Sequence, residues 1–175
     1  TSINTNRLIG RYSASTGVMQ EVLLGNNLAY ANSTLNAAGF LKTPVEAATT
    51  AALTVTSSGS GIGQTLTNAG TQAALVIDGV TMAVGERVLV KDQGNSENGI
   101  YVVSDVGSVS TNWILTRATD ADGSDGGPVT EGMQVMALRG TTNIAVIWIQ
   151  TTANPIIVGS TTLAFSGNSA VSGGS

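Results

Sequence analysis

Short β-strand patterns recur about every ten residues between positions 74 and 165, and turn-forming residues separate them. Apolar segments of strand length flank Asp78-Gly79, a hairpin signature because both central positions of such a turn tolerate a positive φ. Asn98-Gly99 likewise precedes an apolar strand pattern over 100–103. Strands joined by turns and not by helices are typical of antiparallel sheets. We therefore predict an all-β fold, an antiparallel sandwich or barrel-like domain.

Composition divides the chain into three segments. Residues 1–42 are rich in Asn, Ser and Gly, and glycine interrupts their apolar groups before they could form a core. We predict that they form an extended shaft or anchor that packs on the next domain or on further copies of itself. Residues 43–166 are the predicted β-rich module, and 167–175 a Gly/Ser tail. Because the chain begins with Thr1, we expect it to be a segment of a longer protein.

Two local patterns inside the module give further expectations. Thr43-Pro44-Val45-Glu46 has the form of a capping box with proline at the first helical position, which predicts a short helix continuing over 47–53, although Thr49-Thr50 and 54–56 favour a strand. Residues 57–73 are low in sequence complexity and are predicted to be an exposed loop.

Charge is scarce in this sequence. Charged residues make up 10% of it and aromatic residues 4%, so the core must consist mainly of Val, Leu, Ile and Ala. The net charge is −4 and the seven basic residues are scattered, which argues against a nucleic-acid partner. No apolar run approaches the roughly 20 residues of a membrane helix, so we predict no membrane insertion. A surface of hydroxyls and amides suits extracellular or virion proteins.

The residue types that most enzymes need are missing. The chain has no histidine and no cysteine, which removes the Ser-His-Asp triad, thiolate catalysis and Cys-based zinc sites. A glycosidase needs only two carboxylates, and Asp92 and Glu97 could supply them. Both, however, lie beside a predicted hairpin turn, where acids usually face water. We predict that the chain is not an enzyme.

One acidic segment resembles a calcium-binding loop. Asp120, Asp122 and Glu131 take its first, third and twelfth places, but Asp125 stands where that loop requires glycine. Calcium bound by Asp120, Asp122, Asp125 and Glu131 is the single cofactor that the sequence suggests. The alternative is an acidic surface turn whose side chains accept hydrogen bonds from their own backbone. We also expect Arg117 and Asp120 to act as a structural ion pair or a turn brace and not as a clamp for a ligand.

Aromatic side chains have two possible roles, as platforms that stack on sugars or as core residues. Trp113, Trp148 and Tyr101 are the candidates in the module, with Tyr12 and Tyr30 in the N-terminal segment. Trp113 is predicted to be core. Trp148 lies in the apolar run 144–149, and we expect it in the core or at a subunit interface.

Several short motifs stand in an order that resembles a module of bacteriophage tail fibres. They are IDGVT (77–81), GERVLVKDQ (85–93), ENGIYVV (97–103), RATDAD (117–122), GTTN (140–143) and TLAF (162–165). The resemblance covers residues 47–166. Two departures are the insertion of Ile114 and Leu115 after Trp113 and a longer segment at 57–73. A shorter match at RLIGR (7–11), GVMQEV (17–22) and LGNNL (24–28) is similar to fibre shaft repeats.

The resemblance implies a β-rich, homotrimeric virion fibre that attaches to host surfaces. We therefore expect a structural protein of the virion, assembled in the host cytoplasm, with other virion proteins and a host surface glycan as partners. Loops 57–73 and 120–131 would make the host contact, because loops on a rigid β-scaffold often carry recognition. Two alternatives remain: a head fibre or capsid decoration protein, and a glycan-degrading fibre enzyme, which is disfavoured because long solenoid repeats are missing.

Overall fold

The computed structural model describes residues 7–10, 20–23, 28–31, 34–37, 40–124 and 126–169. These residues form strands and no helix, which confirms the all-β fold and leaves no helix that could span a membrane. The chain divides into two units, 1–38 and 39–175. The strands of the first unit are β1 (Arg7–Gly10), β2 (Gln20–Leu23), β3 (Leu28–Ala31) and β4 (Thr34–Ala37).

The first unit contains two antiparallel pairs, β1 with β2 and β3 with β4. Its remaining residues lie outside the described part of the chain, and with them most of the predicted shaft. The shaft therefore stays a prediction.

The second unit contains eleven strands. They are β5 (Ala47–Ala48), β6 (Val55–Ser58), β7 (Thr65–Asn68), β8 (Val76–Ile77), β9 (Val80–Thr81), β10 (Arg87–Val90), β11 (Gly99–Asp105), β12 (Ile114–Arg117), β13 (Gln134–Met136), β14 (Val146–Gln150) and β15 (Phe165–Ser169). A six-stranded sheet has the order β5-β10-β11-β12-β7-β6, and a three-stranded sheet the order β13-β14-β15. Both are antiparallel except for the parallel pair β5–β10.

The central strands are buried on both faces of the six-stranded sheet. Val88, Leu89 and Val90 are successive buried residues of β10, and successive side chains of a strand point to opposite faces. Val88 and Val90 belong to a cluster that includes Ile77 of the β8–β9 hairpin. Leu89 belongs to a second cluster that includes Val135 of the three-stranded sheet. Each such buried aliphatic side chain contributes about 1.5–3 kcal/mol, so the sheet is stabilised from both sides.

The Asp78-Gly79 hairpin turn is confirmed, and its aspartate has an additional role. Asp78 adopts φ 48° and Gly79 φ 78°, as the turn requires. The Asp78 carboxylate accepts the N–H groups of Thr142, at 3.0 Å, and Asn143, at 2.7 Å. Burial alone would raise the pKa of Asp78, but these backbone donors lower it below its ordinary value. The hairpin is thereby fixed to loop 140–143.

The segment 40–49 runs between the two sheets, with β-bridges at Leu41 and Val45 followed by β5, and the helix predicted from Thr43-Pro44-Val45-Glu46 is wrong. The Val45 N–H donates to the Met136 carbonyl beside the three-stranded sheet, and the Thr49 N–H donates to the Leu89 carbonyl in the six-stranded sheet. Val45, Ala47 and Ala48 are completely buried in this position. Pairing on two sheets satisfies more of the backbone than a single helical turn would.

Two predicted boundaries also shift. The segment 57–73 is not one exposed loop, because β6 and β7 pair within it and Leu66 is fully buried. The exposed part is reduced to the turn after Ser58 and the residues after Asn68. At the other end, β15 continues to Ser169, so residues 167–169 belong to the module and not to the predicted tail.

Candidate binding surface

Three loops of the second unit meet and form what we call the three-loop cluster, whose described residues are 59–63, 120–124, 126–127 and 154–161. The Ser60 hydroxyl donates to the Gly159 carbonyl at 3.2 Å. Gly61 has φ 64°, and a β-carbon there would lie 3.0 Å from the Val158 carbonyl oxygen and 3.5 Å from that of Asp122. The parts of both predicted contact loops that remain exposed are therefore adjacent. The third loop, 154–161, was not anticipated from the sequence.

The described surface of loops 59–63 and 154–161 is neutral, with isolated apolar groups, whereas loop 120–127 contains Asp120, Asp122 and Asp125. Ile62 is 68% exposed and Ile157 is 65% exposed, and the exposed polar residues beside them include Ser60, Asn154 and Ser160. Loops 59–63 and 154–161 contain no charged residue. A neutral surface of hydroxyls and amides suits an uncharged polar ligand and gives no attraction to a polyanion.

A buried arginine holds the base of the cluster. Arg117 is 2% exposed, and its guanidinium donates to the Gln64 side-chain oxygen at 2.6 and 2.9 Å. It also donates to the carbonyls of Ser96 and Asn98, both at 3.1 Å, and to the Tyr101 hydroxyl at 2.7 Å. Arg117 thus ties the 59–64 turn to the 91–98 turn.

Burial and neutral partners set the electrostatics of this network. Burial lowers the pKa of Arg117 and raises that of Tyr101, whose ring lies 4.7 Å from the guanidinium carbon. The oxygens that accept from Arg117 are all neutral, and the predicted ion pair with Asp120 is wrong. The Asp120 carboxylate instead binds Arg87, at 2.9 and 3.0 Å.

Asn98 and Gly99 complete the network, beyond their predicted role in a turn. The Asn98 amide donates to the carbonyls of Lys91, at 3.0 Å, and Leu163, at 2.8 Å. Gly99 has φ 152°, and a β-carbon there would overlap the Arg117 guanidinium. The network was not predicted from the sequence, although Arg117 stands two residues after Leu115 in a strand pattern, a spacing that places both side chains on the same face.

The buried Lys42 joins the two ends of the acidic loop, at Asp120 and Pro128. The Lys42 ammonium is buried and donates to the carbonyls of Asp120, at 2.6 Å, and Pro128, at 2.7 Å. Burial lowers the pKa of Lys42, while the charge of Asp120 opposes that shift. The two ends of the loop therefore converge on an internal cation.

The four acids suggested for calcium have different surroundings. The Asp120 carboxylate is bound by Arg87, and the buried Asp122 accepts the Ser124 N–H at 2.9 Å, a local turn bond. Glu131 is exposed, and Asp125 lies outside the described residues. Among the residues described, no three acidic or other metal-ligating side chains form a group that could hold a metal. Calcium binding stays a prediction.

The carboxylates considered for catalysis hold neighbouring side chains. Asp92 accepts the Thr49 hydroxyl at 2.6 Å and the Lys91 ammonium at 3.0 Å. Glu97 accepts the Gln93 amide at 3.3 Å. Both therefore stabilise the 91–98 turn.

The aromatic residues divide between core and surface. Trp113 is buried, as predicted, and Tyr101 is also buried, which removes it as a sugar platform. Trp148 is half-buried on the second core cluster, with the Lys91 ammonium 4.3 Å from its ring centroid. Tyr12 lies outside the described residues, and only the backbone of Tyr30, in β3, is described.

Comparisons with protein-family models, with curated proteins and with solved structures find no match to this chain.

Proposed function

We propose that this chain is a non-enzymatic structural module of a bacteriophage virion fibre, which assembles as a homotrimer and contributes to host attachment. The proposal is supported by the structural role of the residues in the motifs that resemble phage tail fibres. Asn98, Gly99, Tyr101 and Arg117 are interior residues that fix turns and strands of the module. A motif that specifies a rigid frame supports a protein used for its shape and its loops.

The three-loop cluster is the surface that we propose for attachment. The Arg117 network holds its 59–64 turn, Lys42 holds its loop 120–127 and Ser60 joins the third loop to the first, so the loops are positioned before any ligand arrives, and preorganised loops bind at a lower entropic cost. Its exposed hydroxyl and amide groups match the hydroxyl groups of an uncharged host surface glycan. In this proposal the N-terminal segment, residues 1–42, joins the module to other virion proteins.

The first test is the mass in solution. Light scattering of the full chain is expected to give three times the chain mass of 17.6 kDa. A single-chain mass over the whole concentration range would refute the homotrimer.

Attachment is tested separately with a labelled protein and a panel of bacterial cells, with and without their surface polysaccharide. Ile157→Asp places a charge on the three-loop cluster and is expected to reduce binding at least about tenfold, through the desolvation of that charge. Val109→Asp is the matched control, because Val109 is 90% exposed in the turn at the other end of β11 and β12. Equal loss in both variants, or binding that survives removal of the polysaccharide, would contradict the attachment proposal. Reducing-end release from the same polysaccharide would contradict the non-enzymatic one.

A further inference from the structure

The three-stranded sheet has apolar side chains on the face that points away from the core. Val135 and Trp148 are paired across β13 and β14 and pack into the second core cluster. Because successive strand residues alternate between faces, the neighbouring pair Met136 and Ile147 points outward, and so does Ile149. The outward positions of the two strands are thus mainly apolar.

The neighbouring segments enlarge this surface. Leu41 pairs beside Gln134, on the same face, and is 78% exposed. Leu138 continues the outward positions after Met136 and is also exposed. We name the surface formed by Leu41, Met136, Leu138, Ile147 and Ile149 the outer face; Leu41 and Leu138 are exposed, and Met136, Ile147 and Ile149 are half-buried. A solvated antiparallel sheet face is normally polar, and a contiguous apolar patch marks an interaction site.

The outer face carries no formal charge. The polar side chains among its described positions are Gln134 on β13 and Ser166 and Asn168 on β15, all of them neutral. In addition, β15 is an edge strand of the described sheet, paired on one side with β14. An edge strand offers main-chain N–H and carbonyl groups to another chain.

We propose that the outer face is the surface on which a second copy of this chain docks. This inference rests on the proposed homo-oligomer and locates its interface. Beside the axis of a homotrimer, equivalent residues of the three copies approach one another, so charged residues there would repel their copies, whereas the neutral apolar outer face can lie beside that axis without such repulsion. A polyanionic or strongly charged partner would find no complementary group on it.

The area of the outer face is smaller than the area that a stable complex buries per partner. The segment that begins at Leu41 lies beside β13, so the face is four strands wide. Strands about 4.8 Å apart, each about five residues long at about 3.3 Å per residue, give an area of roughly 300 Å². Stable complexes bury about 800 Å² per partner. The outer face is therefore one part of a larger contact, and other parts of the chain supply the remainder.

Charge substitution tests the interface directly. Ile147→Lys and Ile149→Lys each place a cation on the outer face, and Val109→Lys is the matched control on an exposed valine elsewhere. In light scattering, the mass is expected to fall about threefold, to the chain mass of 17.6 kDa, in the outer-face variants and to stay at the wild-type value in the control. Near-UV circular dichroism verifies that each variant is folded.

Cross-linking provides a second measurement if a lysine variant fails to fold. The chain has no cysteine, so Leu138→Cys and Val109→Cys each carry a single thiol. A short bismaleimide is expected to join copies through position 138 and not through position 109. Folded lysine variants that keep the wild-type mass, or no cross-link at position 138, would overturn the outer face as the interface and leave the fibre proposal standing. A monomeric wild type would overturn the homotrimer as well.

Discussion

Replacing Arg117 by methionine removes a buried cation and keeps a side chain of similar length. The guanidinium is the shared donor for the Gln64 side-chain oxygen and for the carbonyls of Ser96 and Asn98. In Arg117→Met these three acceptors lose a buried partner. The Tyr101 hydroxyl retains its bond to the Glu97 carbonyl, at 2.6 Å, and adds little to the loss.

The expected cost follows from those acceptors. A buried acceptor left without a partner costs about 1–3 kcal/mol, so three give about 3–9 kcal/mol. The variant also no longer buries a cation, which returns several kcal/mol of desolvation. From the middle of that range, about 6 kcal/mol, a return of about 2–3 kcal/mol leaves a net loss of about 3–4 kcal/mol, a large part of the 5–15 kcal/mol by which domains are usually stable.

Urea unfolding followed by tryptophan fluorescence measures this loss. With a slope of about 2 kcal/mol per molar urea, the midpoint is expected to fall by about 2 M. Arg139→Met is the matched control, because the exposed Arg139 loses ion pairs with Glu46 and Glu86 that are each worth at most about 1 kcal/mol. Equal midpoints for Arg117→Met and Arg139→Met would refute the reasoning. In a double-mutant cycle, Arg117→Met and Gln64→Leu should be coupled by about 1–2 kcal/mol.

Three further predictions test the surroundings of the cluster. Gly99→Ala is expected to cost at least about 2 kcal/mol in the same urea assay, since its methyl group would overlap Arg117, and a neutral result would contradict the close packing. Lys42→Met should expose loop 120–128 to protease and to hydrogen exchange, and unchanged exchange there would show that the ammonium does not hold the loop. The Asp78 pKa is lowered in the fold, so its contribution is present above about pH 4 and lost as pH falls through the folded value. Asp78→Asn should therefore flatten the decrease in thermal midpoint between pH 5 and pH 2 relative to wild type, and an equally steep decrease would exclude this role.

The strands were predictable where the sequence carries a local period. β10 and β11 combine apolar runs with turn residues before or after them, and the structure contains both. β5 was missed because two residues, Ala47 and Ala48, are too few to show a period. Its strand conformation depends on pairing with β10, some 40 residues later in the chain, which no local pattern reveals.

The candidate site was predictable only where its residues are close in sequence. The two loops proposed for contact do meet, but their third neighbour, 154–161, joins them through tertiary packing. Arg117 was paired with Asp120 because they are close in sequence, whereas Asp120 binds Arg87, 33 residues away. Lys42 looked like one of several scattered bases, and its partner Asp120 is 78 residues distant. Polar contacts that span such separations become visible only when the sheets are assembled.

The segment 40–49 is the part of the module that a pulling force applied at residue 40 would load first. Its main-chain hydrogen bonds extend sideways to the three-stranded sheet, at Gln134 and Met136, and to the six-stranded sheet, at Arg87 and Leu89. Tension applied along this segment from residue 40 would therefore shear the bonds to both sheets together, and would not peel them apart one at a time. Because forced unfolding is governed by the barrier to rupture, a module loaded at residue 40 would resist the force through the hydrogen bonds of this segment.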